Sequence, residues 1–203
     1  MKAIGYKESL PVTNINSLID IELPIPEATG HDLLVKIKAI AVNPVDFKIR
    51  QGMAPENGET KVIGWDAVGE VVSVGEQTEN FKVGDAVYYA GDLTRSGSNA
   101  EYQLVDERIV GHKPKTLSLA ESAAIPLTGL TAWEALFDRI KINPETDKGK
   151  TVLIVGHSNT TPKFANSLLG ESKYDDMADD NNASLYKVTI SKNGKTSEVL
   201  VVN

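Results

Sequence analysis

Few residue types in this 203-residue chain could do chemistry, because it has no cysteine and only three histidines. The lack of cysteine removes disulfides, a thiolate zinc site and a cysteine nucleophile together. One stretch has the make-up of an anion site: Gly156-His157-Ser158-Asn159-Thr160-Thr161 runs into Pro162, where a helix is expected to start. A helix N-terminus, the Ser158 hydroxyl, the Asn159 amide and His157 could together hold a phosphate. The plainer reading of His157 is a loop histidine with no ligand. His31, ahead of a strand, and His112, before Lys113-Pro114, read as surface residues. By residue type alone, Asp46 is a turn cap and Thr131 a helix-start hydroxyl.

The elements that must position these residues are mostly strands. Ile63–Tyr89 sets Gly64, Gly69, Gly75 and Gly84 around two β-rich runs, Ala67–Val74 and Asp85–Tyr89. Glycine within or beside a strand marks a bulge, a corner or a close backbone approach, so the stretch reads as a cornered, partly closed barrel. Leu33–Val42 alternates: Leu33, Val35, Ile37, Ala39 and Ala41 share one face, with Lys36 and Lys38 on the other. Pro44 ends that strand, and Val45–Arg50 is expected to form a short helical turn. Met1–Tyr6 and Ala100–Val105 also read as strands, and Gly91–Asn99 as a loop. Ser118 and Glu121 have capping-box spacing. Thr131–Ile140 reads as a helix packing Trp133, Leu136, Phe137 and Ile140 into the core. Asn143–Lys150 is a polar linker and Thr151–Val155 a buried strand. A helix over Pro162–Leu169 follows, stopped by Gly170. Ser184–Ser191 and Thr196–Val202 then flank Asn193-Gly194, a hairpin turn signal.

Composition narrows the class. With 41% hydrophobic and 24% charged residues the chain is an ordinary globular protein. A net charge of −7 argues against nucleic-acid and anionic-membrane partners, which need a basic face. The N-terminus MKAIGYKESLPV lacks the apolar core of a signal peptide, and no apolar run is long enough to span a bilayer. A cytoplasmic location is therefore expected.

The order of residues adds a resemblance. LLVKIKAIAVNPVDFKIRQG, GWDAVGEVVSVG, FKVGDAVYY and AAIPLTGLTAWEALF, in that order along the chain, resemble the GroES-like N-terminal domain of the medium-chain dehydrogenase/reductase family, in its quinone-oxidoreductase-like branch. The resemblance covers roughly Met1 to Val155. It implies a GroES-like, partly open barrel and hydride transfer from NADPH to a quinone, an activated alkene or a carbonyl of a small-molecule substrate. On it, Asn43 and Asp46 are the catalytic candidates, and Asn43, Lys48 and Thr131 face the cofactor. Zinc alcohol dehydrogenases resemble this pattern with a Cys and a Gly-His-Glu trio. Here Trp65 stands at the His, Asn43 lies in the region of the Cys, and Asp66 alone cannot make a tetrahedral site. No zinc is expected, as in metal-free members of zinc-type families. Relatives often pair through the nucleotide domain, so a homodimer is one expectation for the oligomeric state.

Past Val155 that resemblance implies a glycine-rich turn of the GxGxxG kind, whose bare backbone touches the pyrophosphate. Only Gly156 of it is present. VLIVGHSNTTPKFANSLLG instead resembles the C-terminal part of the histidine phosphatase superfamily, which would make His157, Ser158 and Asn159 phosphate ligands. No Arg-His-Gly nucleophile motif accompanies them. The expected organisation is a GroES-like domain over 1–125, a connecting helix and linker over 126–150, and a strand–helix–hairpin α/β segment over 151–203 in place of a Rossmann domain. A chimera of reductase front and phosphatase-like tail accounts for both resemblances. The alternatives are a non-catalytic phosphate-binding module and a non-enzymatic folded barrel. For the reductase reading weak NADPH binding is expected in this chain.

Overall fold

The computed structural model describes residues 1–55, 58–139, 141–143, 145–146, 161–175, 184–191 and 194–201. They fall into two compact units, Met1–Ile140 and Lys141–Asn203.

The first unit is built on eight strands: β1 (Lys2–Tyr6), β2 (Ile19–Glu22), β3 (Asp32–Ala41), β4 (Lys61–Val62), β5 (Asp66–Val74), β6 (Ala86–Ala90), β7 (Tyr102–Asp106) and β8 (Val110–His112). They form a three-stranded sheet, β2-β1-β4, and a five-stranded sheet, β7-β3-β5-β6-β8. Every pairing is antiparallel. The sheets do not close on each other. They are stitched by an Ala3–Ala100 bridge and by amides of Ile4 and Glu101 donating to Asn99 and Lys2 carbonyls. This is the β-rich, partly open architecture read from the sequence.

β3 is the long axis. Its register runs from Leu33 opposite Val74 to Ala41 opposite Asp66, with bulges at Leu34/Val35 and Ile37/Ala39. The expected alternation holds from Val35 onward, but Leu34 is buried as well as Leu33 and Val35, because that end is covered on both faces. Leu33, Val35, Ala67, Val71, Val87, Tyr89 and Val105 make the core, each side chain contributing about 1–3 kcal/mol by leaving water. Tyr89, fully enclosed there, donates to Gln103 Oε1 at 2.9 Å, and Gln103 Nε2 donates to the Ser96 carbonyl. Burial pushes the Tyr89 phenol far above its ordinary range.

At the Asp32 end of β3, three loops meet on one carboxylate. Glu107 accepts from the Glu79 and Asn80 amides and lies 3.1 Å from His31 Nδ1. The Asn80 amide first, then His31 and Glu79, hold its carboxyl below the ordinary value. His31 is therefore an interloop tie, not the plain surface residue its sequence context suggests. Arg95 adds a bidentate pair with Asp32. Gly75 presses on the same loops: a Cβ there would lie 2.3 Å from the Gly30 carbonyl oxygen.

Among the described residues of this unit the three α-helices are short. The turn expected at Val45–Arg50 is a full α1 (Pro44–Gly52). The capping box at Ser118 forms and opens α2 (Leu119–Ala123). α3 (Pro126–Trp133) begins earlier than the sequence reading and passes into a π-helical turn over Glu134–Arg139. Trp133, expected in the core, is 63% exposed, its ring tilted against that of Phe137 with 4.5 Å between centroids. It sits at the rim of a groove lined by Tyr88, Ile109, Gly111 and Leu130.

In the second unit, α4 (Thr161–Leu169) ends at Gly170, φ +78°, as expected. β9 (Ser184–Ser191) and β10 (Gly194–Val201) form the expected hairpin, with β10 starting two residues earlier than read. Asn166 binds the following turn: its Oδ1 accepts from the Lys173 and Tyr174 amides and its Nδ2 donates to the Tyr174 carbonyl. Tyr174 meets Tyr186 edge-on and donates to Ser197 Oγ. The strand expected at Thr151–Val155 lies outside the described residues.

Candidate functional site

The Ala41 end of β3 gathers most of the candidate residues. Val42-Asn43-Pro44-Val45-Asp46 carries its own helix-start signals: an Asn at N-cap, a Pro at the first helical position and an acid at the third. Asn43 is extended, φ −122° and ψ 163°, and its amide donates to Asp46 Oδ2 at 2.8 Å. Asp46 is thus the cap that its residue type suggested, 4% exposed. The Asn43 side chain reaches Asp66, its Nδ2 donating to Asp66 Oδ2 at 2.8 Å.

Asp66, the first residue of β5, is wholly buried. Its other oxygen, Oδ1, accepts from the backbone amide of Leu127 at 2.8 Å. Leu127 is the second residue of α3, where the first amides have no intrahelical partner and the helix dipole favours a negative charge. One carboxylate therefore joins the starts of two helices. Burial raises the Asp66 carboxyl, the Asn43 and Leu127 bonds lower it, and the neighbouring Asp46 charge raises it again. Asp46 is raised too, by burial against the lowering amides of Asn43, Asp46 and Gly64.

Beneath the pair, Trp65 packs with Tyr6 and Ile63 against Val45, Ile49 and Leu127. Its indole Nε1 is buried without a hydrogen-bond partner. Gly64 has φ +103°, and a Cβ there would meet Asn99 Oδ1 and Ser98 Oγ at 2.6 Å, so only glycine lets this corner lie against 97–99. The far end of α1 is held by the Tyr6 hydroxyl, which donates to the Met53 carbonyl at 2.6 Å, and by Arg50 Nη1 donating to Leu10 O.

Asn43 and Asp46 are thus brought together. Lys48 is exposed on the outer face of α1. Thr131 is exposed on α3, and its hydroxyl donates to the Leu127 carbonyl, a back-bond within the helix instead of a helix-start hydroxyl. His157, Ser158 and Asn159 lie outside the described residues. Sequence reasoning gave Asp66 no site role. Its only signal was a charge opening an apolar strand run, Asp66-Ala67-Val68.

The donor set at this corner does not fit zinc. Trp65 offers an N–H and no lone pair, and both Asp66 oxygens accept from protein donors. Among the described residues no group of three His, Asp or Glu side chains is placed to hold a metal. What the corner offers is polar atoms at the starts of α1 and α3, the two helices that carry the exposed Lys48 and Thr131. Among the described residues no helix is long and apolar enough to cross a membrane.

Residues 29–126 match the alcohol dehydrogenase GroES-like domain. A zinc-type alcohol dehydrogenase-like protein of Staphylococcus epidermidis is 41% identical over 170 residues, 83% of this chain and 50% of its own length. A mitochondrial NAD(P)H oxidoreductase RTN4IP1 from Dictyostelium discoideum is 31% identical over 81% of this chain and 47% of its own. Among solved structures, a Rhizobium etli protein described as a zinc-dependent alcohol dehydrogenase superposes with TM-score 0.68 at 52% identity, covering 78% of this chain and 44% of that one. The quinone oxidoreductase of Coxiella burnetii gives TM-score 0.60 at 30% identity, covering 68% and 44%. The chain spans about half the length of the curated relatives it matches. Residues 29–126 thus match an alcohol dehydrogenase GroES-like domain, and the chain's homologues include zinc-type alcohol dehydrogenase-like and quinone oxidoreductase-like proteins.

Proposed function

We propose that this chain serves zinc-independent, NADPH-linked reduction of a small quinone, enone or carbonyl compound, with its GroES-like domain forming the acceptor side of the site. The observation that supports this most is the corner in which Asn43, Asp46 and Asp66 hold the starts of α1 and α3 together, with both Asp66 oxygens taken by protein donors. The nicotinamide cofactor, when bound, supplies the hydride. Lys48 then offers a cation to the cofactor's phosphates, and Thr131 a hydroxyl to its polar edge. Asn43, fixed by two bonds in one orientation, needs no reorganisation when a substrate arrives, which is the condition for electrostatic assistance.

Cofactor affinity is low in this reading, because Gly156-His157-Ser158-Asn159 carries side chains where a bare backbone would touch the diphosphate. Titrating the purified chain with NADPH and following nicotinamide fluorescence tests it. A shallow curve that saturates only in the millimolar range, and weakens further in Lys48→Ala, is the expected result. No fluorescence change at millimolar NADPH overturns the reading for this chain.

A further inference from the structure

We propose that Asp66 is a positioning residue: through its two oxygens it couples the N-cap of α1 to the first turn of α3, so that the placement of Asn43 depends on α3 being docked. Its catalytic consequence rests on the reductase reading above; the coupling itself does not.

The argument is one of geometry and satisfied valence. Asp66 is fully buried, with one oxygen 2.8 Å from Asn43 Nδ2 and the other 2.8 Å from the Leu127 amide. Neither donor is a cation, so no ion pair explains why a carboxylate is kept there. A buried carboxylate without a cation persists when it satisfies donors that nothing else reaches. The α3 amide is such a donor, being one of the orphans of a helix start. The Asn43 side-chain Nδ2 is a second buried donor, distinct from the backbone N–H that Asp46 accepts. The two partners lie 23 residues before and 61 residues after Asp66 in the chain, so one carboxylate bridges two segments distant in sequence. Among the described residues the ionisable group acting on Asp66 is Asp46 of α1, a like charge.

The test follows two reporters of one carboxyl by NMR of the labelled chain: the Asn43 side-chain amide and the Leu127 backbone amide. On acid titration both should move with one shared midpoint. Asp66→Asn, which keeps the side chain's size, should abolish both titrations and speed Leu127 amide exchange about tenfold. Asn43→Ala removes only one bond, and the Leu127 midpoint should then rise, because a donor that favoured the carboxylate is gone. Separate midpoints in the wild type, or a Leu127 midpoint indifferent to Asn43→Ala, overturn the coupling. If the wild type binds NADPH, Asp66→Asn should lower kcat more than it raises KM; equal kcat overturns the positioning role. If the wild type binds no NADPH, the reductase reading falls while the amide titrations still decide the coupling.

Discussion

The two ends of β3 each bury a carboxylate, and the surroundings drive them in opposite directions. At the Asp32 end, Glu107 gathers the amides of Glu79 and Asn80 and faces His31, and its carboxyl is held low. At the Ala41 end, Asp66 has two neutral donors and a like-charged neighbour in Asp46, and its carboxyl is pushed up. The first arrangement lets the charged form fasten loops together. The second disfavours the charged form of its acid, and groups perturbed in that way cluster where proteins do chemistry. A carboxylate's burial alone therefore does not separate scaffold from site; the sign of its environment does.

Removing the Asp66 side chain should break the contrast most severely. Asp66→Ala leaves two buried donors unpaired and is expected to cost about 2–4 kcal/mol, read from the urea midpoint at unchanged slope. A cost below about 1 kcal/mol would mean that water replaces the carboxylate without loss. Next in size come the glycines that shape each end. Gly75→Ala drives a methyl to within 2.3 Å of backbone, and Gly64→Ala adds a left-handed φ to its clash, so each should lose about 1–3 kcal/mol. If either is neutral, the corner it occupies is softer than its contacts indicate.

The pH dependence sharpens the comparison. Glu107 is depressed below its ordinary 4.5, so its contribution is present above that value and fades as pH falls through the lower folded value. Asp66 is raised above 3.8, so its contribution is full below that value and is lost as pH rises through the higher folded one. Urea midpoints between acid and neutral pH should accordingly fall less steeply on acidification in Glu107→Gln, and more steeply in Asp66→Asn. Matching slopes in both variants would erase the difference between the ends. The smallest effect belongs to Lys48→Ala, within about 0.5 kcal/mol of the wild type in stability because the side chain is exposed. Its signature is confined to the NADPH titration.

Much of this fold is written in short-range pattern. The alternation of Val35–Ala41, the Ser118/Glu121 box and the Pro162–Gly170 helix with its stop each depend on neighbours within a few positions, and each forms. The chemistry of the corner was legible only in part. Absence of cysteine and Trp65 in place of a ligand argue against zinc before any coordinates. Asn43 and Asp46 announce a helix start. Yet the role of Asp66 depends on Leu127, and that of His31 on Glu107, 76 residues away, so nothing local encodes either contact. Trp133 misled for a related reason. Helical spacing gives a stripe its direction but not what lies opposite, and within Met1–Ile140 that side is a shallow groove.

α1 is anchored at its beginning through Asn43 and at its finish through the Tyr6 hydroxyl and Arg50. A rod pinned at both extremities can neither slide along its axis nor roll without tearing a bond. Any accommodation to a guest molecule on that side falls to the outward-pointing Phe47 and Lys48, which can swing between rotamers while the backbone stays still.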